Sequence, residues 1–264
     1  MIKKLAFIAI LITSASCAIA QSTEIPKKSR RPDIPGTFAI DLGINRLTDR
    51  PNDLKYGLWG SRTLNLYYLY DMRIGKSKFT FHPGIGFGME RFKLMSSNHY
   101  LSNDTVKYTN PTLIFDGLGN TIFAPAANVV YDADTLGQIN WSGSYSTKKS
   151  MVALNYIDVP VELRFNTKPE DPARSFKVAI GGRIGYLLNA HTKIKYKEDG
   201  DFKKLKTVQT YNLNRIRYSV YMKIYLGNFA LFGYYNLSPL FKEGKGPMQT
   251  QTASYTVGIS LASF

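Results

Sequence analysis

The sequence predicts an all-β protein, an eight-stranded antiparallel up-and-down transmembrane β-barrel with a closed polar lumen. Three observations predict it. Eight segments alternate strictly between apolar and polar residues, the period of a strand with two unlike faces. The connections between them alternate long and short. The charges on the polar faces nearly cancel, which an enclosed lumen demands and open solvent does not.

The chain has 264 residues, with 18 Tyr, 15 Phe and 21 Gly. This richness in aromatics and glycine favours strands, bulges and turns over helices. Mean hydropathy is −0.19. That value carries no weight against a barrel, whose lipid-facing and lumen-facing residues average out. No segment has 18 or more consecutive apolar residues, so a transmembrane helix is excluded.

Residues 1–20 read as a secretory signal peptide. Lys3 and Lys4 form a basic start, Leu5 to Ile12 an apolar run, and Ala18-Ile19-Ala20 a small-x-small cleavage site. The alternative, acylation of Cys17, lacks an apolar residue at the start of its recognition box, since Ser14-Ala15-Ser16 precedes it. Cys17 is the one cysteine of the chain. Cleavage after Ala20 leaves no thiol chemistry and no disulfide. The formal charge is +15, of which Lys3 and Lys4 leave with the leader. Residues 21–35, with their prolines and the Lys27-Lys28-x-Arg30-Arg31 run, form a solvated basic lead-in. The barrel domain is expected over 36–264.

The first strand places Phe38, Ile40, Leu42 and Ile44 on one face and Asp41 on the other. The second runs from Leu64 to Ile74, with Asn65, Tyr67, Asp71 and Arg73 opposite its apolar residues. The third carries Phe79, Phe81, Ile85, Phe87 and Met89 against His82, Gly84, Gly86, Gly88 and Glu90. The fourth is YIDVPVELRF. Ile157, Val159, Val161, Leu163 and Phe165 share one face, Asp158, Glu162 and Arg164 the other. The fifth opposes Phe176, Val178, Ile180, Ile184, Tyr186 and Leu188 to Lys177, Gly181, Arg183 and Asn189. The sixth opposes Ile216 to Leu226 at even positions to Arg217, Ser219, Tyr221 and Lys223. The seventh puts Phe229, Leu231, Tyr235 and Leu237 outward, with Ala230, Phe232, Tyr234 and Asn236 inward. The eighth has Tyr255, Val257, Ile259 and Leu261 as its apolar face.

Long connections fall at 48–60, 94–150, 191–213 and 239–251. Short ones are Gly75-Lys76-Ser77, Thr167 to Ala173, and Gly227-Asn228. All long loops therefore lie at one end, as extracellular loops do in outer-membrane barrels.

The polar faces decide which side is inside. Their acids are Asp41, Asp71, Glu90, Asp158 and Glu162. Their bases are Arg73, Arg164, Lys177, Arg183, Arg217 and Lys223. We expect these to form a lumen ion-pair lattice, with Ile157, Val159, Val161, Leu163 and Phe165 facing lipid. Eight strands are just wide enough for side chains to fill the interior, so no open pore is expected. The glycines of the third strand's polar face relieve crowding. The string GIGFG lies in a strand with no helix after it and is not a phosphate loop.

No constellation of nucleophile, base and orienter assembles, so no enzyme activity and no catalytic residue are expected. His82 and Glu90 share a face but lie eight residues apart, about 26 Å along a strand. His99 and His191 fall in or beside loops. Cys/His metal spacing is absent, and no cofactor is expected. Asp104, Asp116, Asp132 and Asp134 are candidate calcium donors in loop 94–150. Loop 191–213 sets Lys193, Lys195, Lys197, Lys203, Lys204 and Lys206 against Glu198, Asp199 and Asp201, which suits anionic lipopolysaccharide or an acidic partner. In loop 94–150 the stretch TLIFDGLGNTIFAPAANVVY is apolar enough for an extra hairpin over the rim or a protein-docking surface.

YIDVPVELRF followed by FKVAIGGRIGYLL resembles the outer-membrane β-barrel family common in Bacteroidetes, often labelled PorT-like. The match runs through Tyr156, Ile157, Val159, Pro160, Val161, Leu163, Arg164 and Phe165, then Gly181-Gly182 and Gly185-Tyr186. Tyr234-Tyr235-Asn236-Leu237 is similar to the family's penultimate strand. Glu162 stands where the family has an aliphatic residue. The resemblance implies the outer membrane of a Gram-negative cell, with lipid, lipopolysaccharide and the barrel assembly machinery as partners. Phe264 resembles the terminal aromatic insertion signal, out of phase with Tyr255 to Leu261 unless a bulge near Ala262-Ser263 restores it. Some members of the family support type IX secretion. Three classes of function follow: a non-enzymatic barrel working through its loops in envelope, adhesion or type IX-like secretion; an outer-membrane lipid-modifying enzyme; and a soluble calycin-like binding barrel. A further envelope protein docked on loops 94–150 or 191–213 belongs to the first class. No nucleic-acid partner is expected.

Overall fold

The computed structural model describes residues 36–48, 55–57, 59–101, 104–127, 129, 146–168, 175–198, 200–247 and 251–263. The leader, the lead-in and Phe264 lie outside them. No helix among the described residues is long and apolar enough to cross a membrane.

Eight strands form the wall: β1 (Thr37–Leu47), β2 (Arg62–Leu69), β3 (Phe79–Leu101), β4 (Ser146–Asn166), β5 (Phe176–Glu198), β6 (Ile216–Leu226), β7 (Phe229–Asn236) and β8 (Ser254–Ser263). Each pairs antiparallel with its neighbour in sequence. β1 also pairs with β8, from Phe38↔Ser263 to Leu47↔Ser254, which closes the ring. A closed ring leaves no unpaired edge in hydrocarbon, where an unsatisfied amide has no water to turn to. The register of β8 stays regular to Ser263, so the bulge at Ala262-Ser263 that the insertion signal calls for is not formed.

The tight turns are sharp for local reasons. β6 and β7 meet at Gly227-Asn228, where Gly227 takes φ +64°, a conformation that costs glycine nothing. The second strand is shorter than its alternation suggests. It stops at Leu69, and the remainder is the two-residue pairing of Met72–Arg73 with Phe81 and Thr80. The break falls at Asp71, whose carboxylate is held by Thr37 and by His82 at 2.6 Å.

Three strands are longer than expected. β3 runs on to Leu101, β4 starts at Ser146, and β5 continues to Glu198. Parts of loops 94–150 and 191–213 are thus sheet. The strand Asp201–Val208 folds back on β5. A separate hairpin pairs Pro111–Phe115 with Thr121–Pro125.

Through the barrel proper, outward residues are apolar and inward residues polar. β6 shows it most plainly, exposed and buried side chains alternating from Ile216 to Leu226. Ten residue steps tilted by about 40° make an apolar belt about 26 Å tall. Aromatics flank it. Phe38 meets Tyr68 at 5.1 Å and Phe79 meets Phe165 at 5.3 Å near the tight turns. Tyr186, Tyr218, Tyr235 and Tyr255 stand exposed toward the other end, as aromatic girdles do.

Above the cross-strand row Leu64–Met89–Asn155–Asn189 the two faces exchange character. Inward residues become apolar: Phe92, Leu94, Val152, Leu154 and Ala190 are all buried. Outward residues become basic. A bulge between Leu187 and Asn189 shifts β5 by one residue and keeps Ala190, Thr192 and Ile194 facing in. The hairpin lowers Leu113 and Phe123 onto this upper core, and Tyr211, Leu213 and Phe241 join it from other loops.

Candidate functional site: the filled lumen and the loop-side wall

At mid-height four charges from four strands meet. Arg217 on β6 donates from Nη1 to Glu90 of β3 at 2.5 Å and from Nη2 to Asp158 of β4 at 2.7 Å. Its Nε donates to Asp158 at 3.2 Å. Arg183 on β5 stands 3.4 Å from Glu90 and 3.6 Å from Asp158, and its Nη1 donates to the Tyr67 hydroxyl at 2.9 Å. Tyr67 in turn donates to Asp158 at 2.9 Å. Two acids and two bases leave the cluster neutral. The guanidinium planes lie over aromatic rings, Arg217 at 3.7 Å from Tyr156 and Arg183 at 4.4 Å from Tyr234. Such stacking suits the weakly hydrated guanidinium.

Glycine makes the room. A Cβ at Gly88 or at Gly185 would collide with both the Asp158 carboxylate and the Arg217 guanidinium. The pair therefore occupies space that only these two glycines leave free.

Nearer the tight turns, Lys223 reaches across to Asp41 at 2.9 Å, and Tyr234 donates to the same carboxylate at 2.6 Å. Arg164 pairs with Glu162 at 2.7 Å, which also accepts from Tyr225 at 3.2 Å. The ring of Tyr225 lies 4.8 Å from the Arg164 guanidinium and 5.8 Å from Lys177 Nζ. His82 is buried between Asp71 and Thr80.

The structure thus brings Glu90, Asp158, Glu162, Arg164, Lys177, Arg183, Arg217 and Lys223 into the buried interior. Asp71 sits at its rim. Arg73 does not join the buried set: it is exposed on the short Met72–Arg73 segment, because the chain leaves the wall at Asp71. Val159, Val161 and Leu163 are exposed on the outer surface, with Ile157 and Phe165 partly so. Phe264 lies outside the described residues.

The tyrosines are what the sequence reading undervalued. Tyr67, Tyr225 and Tyr234 each donate a hydroxyl hydrogen bond to a buried carboxylate. Their inward parity was the available signal. The apolar upper core was readable in the same way, from Phe92, Leu94, Val152 and Leu154 continuing the inward positions of Glu90 and Tyr156.

Little space remains. A void of about 30 Å³ lies among Phe92, Leu113, Val152, Leu213 and Phe241, and one of about 10 Å³ beside Glu90 and Arg217. Neither holds more than about one or two waters. Among the described residues no three His, Cys, Asp or Glu side chains gather as metal ligands. Of the candidate calcium donors, Asp116 instead closes its own turn, accepting from the Leu118 and Asn120 amides at 2.9 and 2.7 Å. The side chains of the other three lie outside the described residues.

The family model for the outer membrane protein beta-barrel domain matches residues 36–242. The chain belongs to this family. It is an outer-membrane β-barrel protein, with an exposed apolar belt. No curated protein matches its sequence. Among solved structures it is similar to Ail, the attachment invasion locus protein of Yersinia pestis. The form in complex with the heparin analogue sucrose octasulfate is 12% identical, with a TM-score of 0.34 over 87% of this chain and 100% of Ail. The form described without that analogue gives 12% and 0.34 over 86% and 97%. A mutant of Rh. blastica porin gives 9% and 0.17 over 86% of this chain and 98% of the porin.

Proposed function

We propose that this outer-membrane barrel neither conducts nor catalyses, and that it acts through the end that carries its long loops, in an envelope, adhesion or secretion-associated role. One observation carries the reading. The Glu90–Arg217–Asp158–Arg183 cluster fills the lumen at mid-height, its charges neutralised and its side chains buried. Opening a water-filled path would separate these charges, which costs several kcal/mol. With the interior closed, the surface left for work is the loop end. The PorT-like character of Tyr156 to Phe165 supports a Bacteroidetes-type envelope with a type IX-like association, and the leader at 1–20 supports export before insertion.

The test is conductance of the refolded protein in planar bilayers. The expected result is a baseline indistinguishable from protein-free membrane. Stable, large unitary steps would reject the reading. Lipid A mass spectra from a deletion strain test the absence of catalysis: they should be unchanged.

A further inference from the structure

We propose that the outward face of β3, β4, β5 and the strand Asp201–Val208 is a binding site for the phosphorylated headgroup of an outer-leaflet glycolipid. The proposal rests on the outer-membrane reading above and adds a ligand class and a place to it.

Along the wall the last outward row of the belt is Leu64–Met89–Asn155–Asn189. One outward step higher, about 6.6 Å along a strand, the row is Arg62–Arg91–Ala153–His191. The next is Lys93–Met151–Lys193–Lys206. The one above is Lys149–Lys195–Lys204. Cations thus begin where the apolar belt stops, on the same wall, facing the same way. A bilayer places its headgroup phosphates at that level.

The rows are also built against themselves. Lys149, Lys195 and Lys204 are direct cross-strand partners, as are Lys193 and Lys206. Like charges directly opposed destabilise a sheet. The ammonium of Lys149 is held below the usual lysine range by partial burial, then by Lys93, Arg62, Lys193 and Lys195. Among the described residues none of these lysines makes a salt bridge. The Lys203–Glu198 ion pair, at 2.7 Å, belongs to the opposite face, where Lys203 stands against Tyr196. A crowded set of cations with no countercharge among the described residues fits a ligand that brings several negative charges of its own. Continuity with the lipid belt selects a lipid over a free polyanion.

The test uses the full chain in neutral detergent. Binding of bis-phosphorylated lipid A is measured by native mass spectrometry for the parent protein and for the variant Lys149→Gln, Lys193→Gln, Lys195→Gln, Lys204→Gln. A control variant, Lys76→Gln, Lys78→Gln, Lys168→Gln, removes exposed charge at the tight-turn end. The parent should bind at least about tenfold more tightly than the four-site variant, given the typical contribution of a lysine at an anionic surface. The control should match the parent, and dephosphorylated lipid A should bind parent and variant alike. Equal affinity of parent and four-site variant would overturn the proposal. So would soluble polyphosphate binding the parent as tightly as the lipid, since the ligand would then be a free polyanion. The unboiled, fast-migrating gel band checks that each variant is a folded barrel. Its absence from the parent would overturn the barrel reading itself, and this site with it.

Discussion

Replacing Arg217 by Met tests the lumen most directly. The substitution keeps most of the side-chain volume and removes the charge. Glu90 loses its 2.5 Å donor, and Asp158 loses donors at 2.7 and 3.2 Å. Hydrogen bonds to charged groups contribute about 1.5–3 kcal/mol each. Arg183 remains, but at 3.4 and 3.6 Å from the two carboxylates, and the cluster is left with a net negative charge in a dry interior. Removing one partner of a buried pair costs about 3–5 kcal/mol; we expect about 4 kcal/mol here. With a urea slope of about 2 kcal/mol/M, the unfolding midpoint falls by about 2 M. The assay is reversible urea unfolding in lipid vesicles, read by the fraction of protein that keeps its fast-migrating band. The double variant Arg217→Met, Glu90→Gln should recover most of the loss, because one acid and one base, Asp158 and Arg183, 3.6 Å apart, are then left and no uncompensated charge is buried. A loss under about 1 kcal/mol for the single variant, or a double variant less stable than the single one, would refute the view that the lattice is held by charge compensation.

Gly185→Ala should cost about 1–3 kcal/mol by overpacking, since its Cβ would collide with Asp158 and Arg217. Gly182→Ala, whose Cβ would find nothing nearer than the Ser219 carbonyl at 3.5 Å, should leave the same urea midpoint nearly unchanged. Leu154→Ala, at a fully buried position of the upper core, should cost about 2–5 kcal/mol; a midpoint shift no larger than that of the exposed Val159→Ala would show that this core is not packed. The Asp116 carboxyl is held below its ordinary value of 3.8, first by the Asn120 amide. A depressed folded value means that the turn gains stability above pH 3.8 and loses it as pH falls through the folded value. Amide exchange at Leu118 and Asn120 should therefore quicken on acidification below pH 3.8, beyond the intrinsic pH trend, and Asp116→Ala should abolish the excess.

The barrel wall was legible because lipid imposes a period. Every belt strand must put apolar atoms outward at each second residue, and Ile216 to Leu226 does so without a lapse. Which charge meets which was not legible. Lys223 and Asp41 lie on β6 and β1, Arg217 and Glu90 on β6 and β3, so their contacts depend on the stagger of strands around the ring and not on spacing in the chain. The length of β3, β4 and β5 was missed for a different reason. The alternation does not stop in Thr192 to Lys197; its sign reverses, with Ile194 and Tyr196 between lysines. A search for outward apolar residues reads such a segment as loop. Arg73 failed because parity assumes an unbroken strand, and the chain breaks two residues earlier at Asp71.

That reversal of sign explains why one continuous sheet carries two kinds of core. Within the belt the outside is hydrocarbon, so the inside is where polar groups must go, and they are stable there only when every charge finds its partner, as Arg217 does with Glu90 and Asp158. Past the row Leu64–Met89–Asn155–Asn189 the outside is no longer hydrocarbon. The same strands then obey the rule of soluble sheets, burying Leu154, Val152 and Ile194 and turning Lys149, Lys193 and Lys195 outward. The bulge at Leu187–Asn189 falls at this crossing and sets which residues of β5 face inward above it. The two faces thus trade polarity at one level of the wall, and the basic rows of β3, β4 and β5 lie beyond it.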